Sequence, residues 1–162
     1  MENYLAANED SRLRLFALIG RLTDEDLALE LNAGWTLGAV LAHIAFWDQR
    51  GLALLGRWSQ DGVGPSPVDP DVVNDACRPL LRRLPPNAVR ELVRDSAAAI
   101  DSAIEALAPS LLVDIQEHAT QFHLARAIHR NAHLEELEGL LEERGRAGAP
   151  GADSTSGRRT PA

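Results

Sequence analysis

Apolar residues recur every three or four positions along nearly the whole chain, the spacing that sets one face of an α-helix against a core. Leu15, Leu18, Ile19 and Leu22 mark a first helix over roughly 2–22, and Thr23-Asp24-Glu25-Asp26 breaks it. Thr36 has the side chain to cap a second helix running to about Trp58, with Val40, His43, Trp47, Arg50 and Leu54 on one face. The stretch from Asp61 to Pro86 differs: Gly62, Gly64, Pro65, Pro67 and Pro70 precede a short apolar piece from Val72 to Leu84. It is too long for a tight helical hairpin, which predicts a crossover carrying a helical turn or two. Pro85-Pro86 opens a third helix whose buried face reads Val89, Leu92, Val93, Ala97, Ile100, Ile104 and Leu107, and Pro109 ends it. A fourth helix is expected to begin between Asp114 and Gln121 and to run to about Arg144. No run of alternating β-branched residues lies between turn signals, so no strand is predicted. The pattern predicts an all-α fold: a four-helix bundle over residues 1–144 with a long crossover between helices 2 and 3. Residues 145–162 contain no large apolar side chain and are expected to be a disordered tail.

Composition narrows the partners more than the fold. The chain has 162 residues and is 45% hydrophobic, enough for one core and no second domain. A formal net charge of −8 without a segregated basic face argues against nucleic acid. The longest apolar runs fall far short of the roughly 20 residues that span a bilayer, so no membrane segment is predicted. The single cysteine cannot form an internal disulfide, and Met1-Glu2-Asn3-Tyr4 is unlike the start of a secretory signal; the expected compartment is the cytoplasm. The expected partner is a small-molecule substrate, and a homodimer is compatible with so small a bundle.

The candidate chemistry lies in three histidines. His129 and His133 are four residues apart, so on a helix they leave one face and can close on one ion; His43, on another helix, can complete the set. Three neutral imidazoles leave a coordination position open, as catalytic divalent sites do. A His-x-x-x-His pair also arises by chance as packed or surface residues. Here Phe122, Arg126, His129, His133 and Leu140 are read as one helical face, so the pair points into the packing stripe, where two buried imidazoles without partners are costly and an ion satisfies both. His123 lies about 120° around the wheel and His118 about three turns away, so neither joins the set. Imidazole ligands suit zinc, nickel, copper and iron alike; the expected ion is zinc, with nickel next.

Two segments carry a resemblance. Gly34-Trp35-Thr36 followed by Ala42-His43-Ile44-Ala45-Phe46-Trp47-Asp48, together with His129-Arg130-Asn131-Ala132-His133-Leu134-Glu135, resembles the DinB/YfiT-like superfamily. In particular, it is similar to the branch around metal enzymes, thiol-dependent transferases and mycothiol-dependent maleylpyruvate isomerase. The Asp69-to-Asn74 connector and the Pro86-to-Leu107 helix fall where that family has them. The resemblance implies a four-helix bundle with a crossover and a divalent ion on three histidines, here His43, His129 and His133. It implies no DNA polymerase activity. It points to a divalent-metal-dependent enzyme that transfers a low-molecular-weight thiol to a small electrophile, or hydrolyses or isomerises one. The alternative is a non-enzymatic metal- or ligand-binding bundle in stress response.

Other residues are assigned by position. Arg126 and Arg50 can receive an anionic substrate or the carboxylate of a low-molecular-weight thiol, or can pair at a rim; Trp47 can wall the pocket or simply pack. These three are the candidate cofactor-binding residues, and no catalytic residue is assigned. Glu136 can orient His133, though it sits in an acidic run that reads as solvated; Asp48 is expected to face solvent or a neighbouring helix. Cys77 has no neighbouring base and reads as a small buried hydrophobe.

Overall fold

The computed structural model describes residues 4–148, and the described residues are helical, without strands. Four long helices form the bundle: α1 (Tyr4–Arg21), α3 (Leu37–Asp61), α5 (Pro86–Glu105) and α7 (Arg126–Gly148). Three short ones join them: α2 (Asp24–Leu27), α4 (Pro70–Leu81) and α6 (Pro109–His118). Packing runs α1, α5, α3, α7 around the bundle, so α1 and α3, successive among the long helices, lie diagonally opposed. The predicted crossover between the second and third long helices carries α4, which packs on α3.

The boundaries follow from capping. Thr23 and Asp26 form a reciprocal box at the start of α2, and the Thr36 hydroxyl accepts from Ala39 N at 3.1 Å to open α3, as its sequence position predicted. Gly62, at φ 81°, closes α3 with a conformation that a residue with a Cβ rarely adopts. Asp69 caps α4 and is followed by Pro70, while Pro86 and Pro109 stand in the first turns of α5 and α6.

Pro109 therefore does more than end the third helix; it starts another. The fourth long helix also begins later than expected, at Arg126 rather than between Asp114 and Gln121. The reason is a cap supplied from elsewhere: Asn8 of α1, buried, accepts from Ala127 N at 3.0 Å and donates to Leu124 O at 2.9 Å. Local sequence carries no trace of such a cap. Helix α7 continues through Gly148, past the expected end at Arg144, and the rest of the predicted tail lies outside the described residues.

The core comes in two apolar blocks. Leu15, Leu18, Ile19, Leu41, Ile44, Val93, Leu134 and Leu137 belong to one; Leu55, Trp58, Ile100, Ile104, Ile115 and Leu124 belong to the other. Each long helix carries polar side chains near the junction of the blocks: Asn8, Ser11 and Arg12 on α1, Asp48 on α3, Asp101 on α5, Arg126 and Arg130 on α7. This polar waist bears on the site. Among the described residues no single helix is long and apolar enough to cross a membrane.

Candidate metal centre

The three histidines lie beside this polar waist, His43 among first-block residues of α3 and His133 next to Leu134 of the same block. His43 is only 6% exposed on α3, and His129 and His133, one turn apart on α7, meet it across the α3–α7 contact. His43 Nε2 and His129 Nε2 are 3.2 Å apart, and one ligating atom from each ring lies within 4.8 Å of the other two. Among the described residues this is the one group of three or more metal-ligating side chains so arranged. Ring centroids are 4.9–5.2 Å apart and the rings stand edge to face, at 61–85° to one another. Nitrogens about 2.0–2.1 Å from one ion are spaced about 3.0–3.4 Å, so the His43–His129 pair already has ligand spacing.

Charge favours the same use. Burial pushes His43 down to about 4 and His129 to about 3, and lowers His133 as well, with the neighbouring imidazoles adding to the effect for the first two. At neutral pH all three rings are uncharged and have lone pairs to give. One hydrogen bond between the two Nε2 atoms cannot satisfy both rings, and among the described residues neither His43 Nδ1 nor His129 Nδ1 meets a partner. A divalent ion accepts all three lone pairs together, so the donor set fits one. The His43 ring is held by packing, with Trp35 and Trp47 edge to face at 5.4 and 6.3 Å between centroids. Glu136 Oε2 lies 3.8 Å from His133 Nδ1 and is largely exposed, a weak orienting contact.

A pH dependence follows for the metal-free protein. Unfolded imidazoles protonate near 6.5, whereas the buried ones resist protonation to about 4 or below. Stability is full above 6.5 and falls as pH drops from 6.5 toward 4, by on the order of 1–3 kcal/mol per ring. Urea midpoints at pH 7.5, 6 and 5 will decrease in that order, and less steeply in His43→Gln. A flat profile in wild type contradicts the account.

The imidazoles open onto a cleft of about 650 Å³, walled by Trp47, Asn74, Phe122 and Arg126. Trp47 Nε1 donates to Asn74 Oδ1 at 3.1 Å, fixing the crossover helix α4 to the cleft wall. Gly51 lets that wall close: a Cβ there would lie 3.3 Å from Ile100 Cδ1 and 3.5 Å from Phe122 Cε2. Phe122 reaches the cleft from the 119–125 connector, not from the helical face assigned to it by spacing. Exposed His123 lines the cleft mouth and His118 an adjoining hollow, both outside the histidine group as expected.

Arg126 is not a free rim residue: its Nε donates to Asp48 Oδ1 at 2.8 Å, and it is 8% exposed. Nor does Asp48 face solvent; it is fully buried against the neighbouring helix α7, where its other oxygen takes Arg130 Nη2 at 2.9 Å. Arg130, also fully buried, bonds Asp101 Oδ2, Ala97 O and Asn8 O as well. Asp101 Oδ1 lies 2.9 Å from Arg130 Nη2 as a charge contact without a directed hydrogen bond. Arg50 bonds the carbonyl and hydroxyl of Ser66 and stacks over Trp47 at 5.7 Å. Cys77 is buried, with burial raising its thiol pKa, in keeping with a packing role.

A family described as the mycothiol maleylpyruvate isomerase N-terminal domain matches residues 9–115. The chain belongs to this family. It is DinB/YfiT-like, in agreement with the all-α fold. A search of curated proteins found no match, and a search of solved structures found none. The mycothiol maleylpyruvate isomerase N-terminal match includes Trp35, His43, Trp47 and Asp48 but stops before α7. The meeting of His129 and His133 with His43 is thus a result of geometry, independent of that match. Sequence reading missed Asn8, Arg130 and Asp101, whose only signal was a polar residue recurring inside otherwise apolar helix faces.

Proposed function

We propose that His43, His129 and His133 hold one divalent ion, zinc before nickel, and that the cleft brings a low-molecular-weight thiol together with a small electrophile. The observation that carries this reading is the convergence of three neutral imidazoles, from two helices, at the floor of an open cleft. An ion so held lowers the pKa of a thiol or water and supplies a nucleophile at neutral pH. The chain's own contribution is placement. The rings occupy only the protein-facing side, leaving the cleft side for ligands. Trp47 and Phe122 form apolar walls that keep water from the reacting groups. Arg126, anchored by Asp48, keeps its terminal nitrogens for an anionic group. Membership of a mycothiol-related family supports a thiol as one of the two reactants.

The test is turnover. Protein reconstituted with zinc or nickel will consume 1-chloro-2,4-dinitrobenzene, or another electrophile from a panel, only with both ion and thiol present, and His43→Ala will lose that dependence. Equal rates with metal-free protein, or rates indifferent to the thiol, overturn the reading.

A further inference from the structure

The cleft at the imidazoles continues into a second hollow of about 320 Å³, and the two share Arg50, Val68, Gln121 and Phe122. The second hollow is walled by Leu54 and Trp58 and edged by Ser66 and Thr120. No aspartate or glutamate lines either part, in a chain of formal net charge −8. The permanent charges that reach the groove are both positive: Arg126 near the imidazoles and Arg50 where the hollows join.

Neither guanidinium is fully neutralised. The ion-paired chain Arg12, Asp101, Arg130, Asp48, Arg126 holds three arginines against two aspartates and ends at the cleft. Arg50 bonds only the neutral oxygens of Ser66, and no carboxylate pairs with it among the described residues. Two guanidiniums facing a groove that no carboxylate lines make a receptor for an anion. The adjoining Trp58 and Leu54 extend it with an apolar surface.

We propose that the groove takes an elongated ligand in three parts: a reactive end at the imidazoles, a carboxylate-type anion between Arg126 and Arg50, and an apolar body against Trp58 and Leu54. The position of the reactive end rests on the metal-centre reading; the anion and body sites do not.

N-acyl cysteines carry all three parts and serve as probes. By calorimetry, N-hexanoylcysteine will bind metal-loaded protein at least tenfold more tightly than its amide, which lacks the anion, and more tightly than N-acetylcysteine, which lacks the body. N-hexanoylalanine, which has no thiol, will keep the preference for acid over amide in metal-free protein. Arg50→Gln will abolish that preference and Arg50→Lys will retain much of it. Equal binding of acid and amide by wild type, or an undiminished preference in Arg50→Gln, overturns the proposal. Failure of the metal-centre reading looks different: cysteine and alanine probes then bind alike with and without metal while the acid preference persists, which still supports the groove.

Discussion

Asp48→Ala will destabilise the protein by about 3–5 kcal/mol, the cost of removing one partner from a buried ion pair and leaving charge uncompensated. Asp48 alone accepts from both Arg126 and Arg130, and it is buried completely. Its loss leaves Arg126 with no acceptor among the described residues and strips the fully buried Arg130 of two hydrogen bonds. Removing the pair Arg12–Asp101 from its outer side is a different matter. The Arg12 side chain is 25% exposed, so Arg12→Ala is expected to cost about 1 kcal/mol or less. Urea midpoints for the two variants will differ accordingly. A shift below about 1 kcal/mol for Asp48→Ala would show that the waist does not hold the bundle together.

His133→Ala will lower affinity for zinc or nickel by more than the roughly 10–100-fold that loss of an orienting partner costs, because it removes a ligand itself. His133 is the best of the three for this test. Its side chain is 26% exposed, so truncation leaves a smaller void than at His43 and the fold persists. Glu136→Gln provides the contrast: its contact with His133 is 3.8 Å and its side chain is 62% exposed, so affinity will change by less than about tenfold. Competition titration against a chelating dye reads both. Similar affinities for wild type and His133→Ala exclude that ring as a ligand.

The chain made some of this legible and hid the rest for physical reasons. Helices α1, α3 and α5 carry clear apolar periods, and a cap or proline opens α3 and α5, so period and capping chemistry located them within a few residues. The start of α7 was misplaced because its cap is Asn8, more than a hundred residues away, and because α6 has an apolar face of its own that reads as an early turn of the same helix. The histidine group was legible from its four-residue spacing and from His43 lying inside an apolar stripe. The buried charges were not. Spacing left Asp48 facing either solvent or a neighbouring helix, and only the tertiary arrangement shows that Arg126 and Arg130, one helical turn apart, both reach it. A polar residue inside an apolar period is the one local sign of such a layer, and it does not reveal the partner. Arg126 is correspondingly a double-duty residue, tied to Asp48 through Nε while lining the cleft.

The proposed function depends on one ion being shared by imidazoles from α3 and α7. The direct measurement is elemental analysis of untagged protein, paired with thermal melts on titration with zinc and with nickel. Wild type and Cys77→Ser will each contain one divalent ion per chain and melt higher as free metal rises above its dissociation constant, whereas His43→Ala will contain none and its melting temperature will not respond. Wild-type protein that takes up no stoichiometric metal and melts at the same temperature with or without it, or His43→Ala that retains a full complement, would contradict the account.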